Sequence, residues 1–373
     1  MKEGSEVHKE VSRDAMVALL LKVPFGSGGE FSYSVEPLGL REFNLVEAFL
    51  LKNGCQLGDL LDERGGGIVR EMGGLGVRVI RLMDRMVLLE RLLRRWQDGC
   101  GLWVRTRTDD CYPQILLSRL GLSSPPVIYG VGNQDLMQEI GVAISGPRHA
   151  DAETTSFACH TGEACAQAGV PLVSGFAKGV DHDATMTALV AGGRACGVVT
   201  HGLVSIHKDL ALSRFMKENR LLLITPFNPE PGFNKGLLMA RNLIIYALSH
   251  CAVIAGFGEN ALRFSNERTR TRASGTWQGA KAQLDRNKKS VLGIPGKFSI
   301  PVYLRKAVGN GLMDELVREG AMYLRDDMSS SLIRRLVEGR MVTQVRRDSN
   351  FELLKKLHVP ACYGVQGALD FGH

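Results

Sequence analysis

Between residues 140 and 300 the chain alternates short, almost wholly apolar runs with longer segments whose apolar positions recur at helical spacing. The runs Val142–Gly146, Pro171–Gly175, Ala195–Thr200, Leu221–Thr225, Cys251–Phe257 and Ser290–Ile294 predict strands. Between them, Thr155–Ala168, Ala184–Ala191, Leu210–Asn219, Gly236–Leu248 and Gly275–Asn287 predict helices. A strand covered on both faces needs no polar alternation, so this pattern predicts a parallel sheet with helices on either side. The expected fold is α/β: an extended Rossmann-like, doubly wound, mostly parallel sheet. Such a sheet binds its ligand at the carboxyl ends of its strands, near the point where strand order reverses.

Upstream the beat changes. Asp14–Leu21, Leu40–Leu51 and Val77–Trp96 carry helical spacing, interrupted by Gly65-Gly66-Gly67 and Gly73-Gly74. Residues 1–100 thus read as a small helical N-terminal domain, either a cap or a helix-hairpin DNA-binding module. Prolines 113, 125 and 126 give the following stretch extended chain and turns rather than a long helix. Residues 101–325 form the Rossmann-like domain. Residues 326–373, polar and basic with Arg334-Arg335 and Arg346-Arg347, form a small C-terminal module or tail.

Composition narrows the partner. Among 373 residues, 46 Lys and Arg against 39 Asp and Glu leave a formal charge of +7, which favours polyanions without selecting one. The eight cysteines are scattered with no Cys-x-x-Cys pair, so a reducing compartment is expected, with neither a zinc site nor a disulfide framework. The polar amino terminus does not read as a secretory signal, and no apolar run is long enough for a membrane span. A cytoplasmic protein with no membrane partner is expected.

The candidate chemistry falls at the strand ends. The first strand runs into Gly146-Pro147-Arg148 and the second into Ser174-Gly175-Phe176-Ala177-Lys178-Gly179-Val180-Asp181. A Gly turn that opens a helix presents backbone N–H groups and a positive dipole end, which suit phosphate. Arg148 and Lys178 add cations, and Phe176 is the aromatic on which a base could stack. Asp181 reads as a cap for the next helix. Arg241 and Asn242 interrupt an apolar helix pattern and are expected at the ligand rim. Ser274-Gly275-Thr276 is a further Gly turn at a helix start. The polar loop 256–273 carries Arg263, Arg268, Arg270 and Arg272, either a nucleic-acid contact or a merely solvated segment.

Missing signals count as well. There is no Gly-x-x-x-x-Gly-Lys-Ser/Thr loop, no Gly-x-Gly-x-x-Gly after the first strand and no acidic residue ending the second. A P-loop ATPase and a dinucleotide enzyme are therefore disfavoured, and no cofactor is expected. Asp181-His182-Asp183 diverge around a helix start, so no metal is expected there. No catalytic residues are assigned.

Taken in order, Tyr112-Pro113, Pro125–Tyr129, Val142–Arg148, Ser174–Asp181, Ala240–Ile245, Ser274–Thr276, Ile294–Gly296 and Glu319–Ala321 resemble the DNA-processing protein A (DprA/Smf) family across roughly 110–325. The resemblance implies a non-catalytic protein that binds single-stranded DNA and helps load a RecA-type recombinase, typically in natural transformation. Its pocket would map onto Gly146, Arg148, Ser174, Gly175, Lys178, Arg241, Asn242, Ser274, Gly275 and Thr276, with Phe176 and Gly179 in the same turn. A recombinase and a second copy of the chain are the candidate protein partners. The chain departs from the family pattern: Pro147 replaces a serine, Ala184-Thr185 an Ala-His pair, Ile224-Thr225-Pro226 the usual Ser-Glu, and Ala255-Gly256 a Glu-Ala. These departures point to a divergent member. The alternative is a nucleoside-monophosphate hydrolase of the related lysine-decarboxylase-like (LOG) superfamily, or a nucleotide sensor. The hydrolases resembled here use Gly-Gly-x-Gly-Thr-x-x-Glu, whereas Gly275-Thr276-Trp277-Gln278 is followed by Gly279, without the carboxylate.

Overall fold

A computed structural model describes residues 11–24, 35–200, 202–206, 209–229, 237–258, 274–291, 298–306, 311–324 and 328–338. These divide into two units, one holding the chain up to Tyr112 together with Leu122–Tyr129, the other Pro113–Gly121 and the chain from Gly130 onward.

The first unit contains α1 (Arg13–Lys22), α2 (Leu40–Lys52), α3 (Glu63–Arg70), α4 (Gly74–Met83), α5 (Met86–Cys100) and strand β1 (Trp103–Thr106). Val17 to Leu21 are buried without interruption, so α1 is apolar on all sides and is the central helix of this unit. Its first turn is capped by Ser12, whose Oγ accepts the Ala15 N–H at 3.1 Å. The single helix expected over Val77–Trp96 is instead two, α4 and α5. The break falls at Asp84-Arg85, where Arg85 turns inward and donates to the carbonyls of Leu82, at 3.2 Å, and Leu20. A buried guanidinium requires acceptors, and these carbonyls supply them.

The second unit contains α6 (Gln114–Leu120), the later part of β2 (Val127–Gly132), β3 (Gly141–Ser145), α7 (Ala152–Ala168), β4 (Leu172–Ser174), α8 (Val180–Val190) and β5 (Ala195–Val198). It continues with α9 (Leu203–Ile206), α10 (Leu210–Lys217), β6 (Leu221–Thr225), α11 (Leu237–Ala247), β7 (Ser249–Ile254) and α12 (Gly275–Val291). Last come β8 (Val302–Leu304), α13 (Gly311–Arg318), β9 (Met322–Tyr323) and α14 (Ser330–Val337). The strands are ordered β2-β6-β5-β4-β3-β7-β8-β9, and every pairing from β6 through β9 is parallel. This is the α/β, Rossmann-like sheet that the apolar runs predict. Among the described residues no helix is long and apolar enough to cross a membrane.

The expected sixth strand, Ser290–Ile294, is a correction. Ser290 and Val291 close α12, residues 292–294 lie outside the described residues, and the strand beside β7 is Val302–Leu304. A four-residue apolar run does not by itself distinguish a helix end from a buried strand. Lys288 and Lys289, well placed against a helix C-terminal dipole, were the signal for the helix.

Topology places the site. From β3 the chain moves outward through β4, β5 and β6, then returns to the other side of β3 for β7. Strand order therefore reverses between β3 and β7, whose carboxyl ends meet in register at Ser145 and Ile254. The turns after β3 and β4 and the start of α12 gather at that end.

Candidate nucleic-acid interface

Two turns are locked together at the switch point. The turn after β3 holds Gly146-Pro147-Arg148 and the turn after β4 runs from Gly175 to Gly179, the N-cap of α8. Gly179 adopts φ +86, and a Cβ there would lie 2.5 Å from the carbonyl oxygens of both Pro147 and Arg148. Only glycine supplies both the conformation and the clearance. The Val180 N–H donates to the Pro147 carbonyl at 3.3 Å, closing the contact. Arg148 and Lys178 both end up exposed, one on each turn.

Beneath them is a buried polar layer. Asp181 is not the cap expected of it: Gly179 holds that position, and Asp181 sits inside the first turn of α8, 4% exposed. Its Oδ2 accepts the Gly175 N–H at 3.1 Å, and the Gly146 and Ala177 N–H groups are directed at the same carboxylate. Burial pushes its pKa up, while Arg241 and these three N–H groups pull it back. Arg241 and Asn242, expected at the rim, are also buried. Arg241 donates through Nε and Nη2 to Asn242 Oδ1 at 3.2 and 2.9 Å, and through Nη1 to the Gly175 carbonyl at 3.3 Å. Burial lowers its pKa, Asp181 and Tyr246 oppose that shift, and the neighbouring Arg148 charge adds to it. Asn242 Nδ2 in turn donates to the Gly275 carbonyl at 3.2 Å.

The third turn completes the group. Ser274 Oγ accepts the Trp277 N–H at 3.2 Å and so caps α12, and Thr276 Oγ1 donates to the Gly146 carbonyl at 3.0 Å. Ser174 is fully buried: its hydroxyl pairs with that of Thr185 at 2.9 Å and accepts the Phe176 N–H at 3.0 Å. On the same turn Phe176 is half-buried and Lys178 is exposed.

The fold thus brings Gly146, Arg148, Ser174, Gly175, Phe176, Lys178, Gly179, Arg241, Asn242, Ser274, Gly275 and Thr276 to one end of the sheet. They divide into two layers. Ser174, Gly175, Arg241 and Asn242 belong to a buried layer that shapes the turns, while Arg148, Phe176, Lys178 and Gly275 reach the surface. Arg263, Arg268, Arg270 and Arg272 lie outside the described residues. Sequence reasoning passed over Asp181 as an organiser of both turns. The available signal was a carboxylate placed within an otherwise basic, glycine-rich turn.

The model of the family described as DNA recombination-mediator protein A matches residues 103–326. Protein Smf of Synechocystis sp. is 30% identical over 156 residues, which are 40% of this chain and 38% of that protein, so the match spans well under half the length of that relative. Among solved structures, DNA processing protein A (DprA) from Streptococcus pneumoniae superposes with a TM-score of 0.55 at 20% identity, covering 86% of this chain and 96% of that one. That likeness bears on the fold. A DNA processing protein A structure from Helicobacter pylori, described for its single-stranded DNA binding mode, aligns at 19% identity and a TM-score of 0.47, over 64% of this chain and 97% of that one. With more than half of its residues matched by the family model, this chain belongs to the DNA recombination-mediator protein A family.

Proposed function

We propose that this chain binds single-stranded DNA across the ends of β3 and β4 and presents it to a RecA-type recombinase, without catalysing a reaction. The observation that carries the reading is the exposed pair Arg148 and Lys178, held on two interlocked turns at the switch point of the sheet. Two cations fixed on adjacent turns suit successive phosphates of one strand, and the first turn of α12 brings its N-terminal dipole end to the same place. Family membership supports the recombination role, and a cytoplasmic setting is part of the same proposal.

Gly279 speaks against the hydrolase alternative. A Cβ at this position would lie 2.5 Å from Asn242 Nδ2 and 3.2 Å from the Tyr246 hydroxyl. The place where the related hydrolases carry a glutamate is therefore filled by α11, and a carboxylate does not fit without displacing it. The deciding experiment is fluorescence anisotropy with labelled single-stranded and duplex DNA over a salt series. Each phosphate neutralised on a single strand adds about −0.7 to the slope of log K against log salt. A flat slope or equal affinity for duplex refutes the proposal, and release of base from a nucleoside monophosphate would favour the hydrolase.

A further inference from the structure

We infer that the rings of Phe176 and His182 form a platform on which one base of the bound strand stacks; this rests on the single-stranded DNA reading above. Phe176 has φ +49 and is one of two non-glycine residues with positive φ among those described. For a bulky side chain that region is costly, and glycine or asparagine would hold the same turn more cheaply. The fold nevertheless supports phenylalanine there. Its N–H is held by Ser174 Oγ, Ser174 is paired with Thr185, and Thr185 donates to the Asp181 carbonyl at 2.7 Å. Below it lies Gly197 of β5, where a Cβ would come within 3.1 Å of the Phe176 Cβ. Backbone, hydroxyls and a bare glycine together hold a residue in an expensive conformation, and such outliers gather at ligand sites.

The ring is not spent on the core. It remains half-buried, 5.6 Å from the His182 imidazole at an interplanar angle of 56°, and the His182 side chain is 49% exposed. Lys178 lies two residues along the same turn and Arg148 on the interlocked one, both exposed. Aromatic faces flanked by cations match an unpaired nucleotide, whose base has a free π-face and whose phosphates take the charges. A duplex keeps its bases stacked inside and offers no such face. The occupant is therefore a base of a single strand.

The test is anisotropy of the full chain with a labelled thymidine oligonucleotide and an abasic strand of equal length, which carries the same phosphates. The native protein is expected to prefer the base-bearing strand by about 5- to 150-fold, the range of one stacked base. In Phe176→Asn, which tolerates the turn's φ, that ratio should collapse toward one. His182→Ala should reduce it, and Phe176→Trp, which keeps a ring, should preserve it. Equal affinity of the native protein for both strands overturns the platform while leaving the DNA reading intact. A Phe176→Asn protein that keeps the full preference overturns it as well. If the native protein binds neither strand, the DNA reading itself falls.

Discussion

Substituting alanine for Gly175 tests how the buried layer of the site is held. A Cβ at this position would sit 2.3 Å from Arg241 Nη1, 2.4 Å from its Cζ and 2.7 Å from Nη2. Ordinary contact needs more than about 3.4 Å, so the guanidinium must retreat by roughly 1 Å. The retreat breaks its bond to the Gly175 carbonyl and pulls it from Asn242 Oδ1 and from the Asp181 charge that compensates it. Overpacking costs about 1–3 kcal/mol, and a weakened bond to a charged donor adds about 1 more, so the expected loss is roughly 2–4 kcal/mol. Urea unfolding reads this as a lower midpoint at unchanged slope. The decisive comparison is a double-mutant cycle with Arg241→Ala. Once the guanidinium is gone the new methyl has room, so Gly175→Ala should cost under about 0.5 kcal/mol in that background. Additive losses would show that the two residues do not press on each other, and the described geometry would be wrong.

In DNA-binding titrations, Arg148→Ala and Lys178→Ala should each reduce the magnitude of the salt slope by about 0.7, whereas Arg241→Ala should leave the slope unchanged because that guanidinium is buried. Equal slope changes for all three would move Arg241 back to the phosphate. Asp151 caps α7 by accepting the Thr154 N–H at 2.6 Å, and this bond holds its pKa below the ordinary 3.8. Because the folded value is the lower one, the cap's contribution is present above pH 3.8 and is lost as pH falls through the folded value. Asp151→Ala should therefore cost about 1 kcal/mol near neutral pH, a difference that vanishes in acid. In the first unit, Arg107 lies 3.5 Å from the Glu47 carboxylate, both buried. Arg107→Leu should cost about 3–5 kcal/mol by stranding that carboxylate, and adding Glu47→Leu should recover much of the loss in urea midpoint.

The sheet was legible because its signal is local and redundant. Five apolar runs ending at Gly146, Gly175, Thr200, Thr225 and Phe257 each held a strand, and their alternation with amphipathic segments left few topologies open. The failures occur where one residue decides. Arg85 breaks a helix whose apolar spacing continues through it, since spacing does not reveal that a charge turns inward to a carbonyl 65 residues away. The same blindness affected the site. The identities of Arg241 and Asn242 drew attention correctly, but their burial depends on Gly175 and Gly279 leaving space for them, and that is a property of the assembled turns.

Asp181 and Pro147 together change where the grip on an anion must come from. Seen as sequence, the two Ser-Gly turns promise bare backbone donors. In the structure the Gly146, Gly175 and Ala177 N–H groups are directed at the Asp181 carboxylate, Pro147 has no N–H, and the Val180 N–H is spent on the Pro147 carbonyl. An internal carboxylate thus already occupies the place that the turns would offer a phosphate. An incoming phosphate must compete with this buried charge or stay above it, and staying above it leaves Arg148, Lys178 and the first turn of α12 as its partners. Side-chain cations carry their attraction through solvent and lose it with salt. Strand binding by this chain should therefore depend on salt more steeply than binding through backbone donors would, in proportion to the cations engaged.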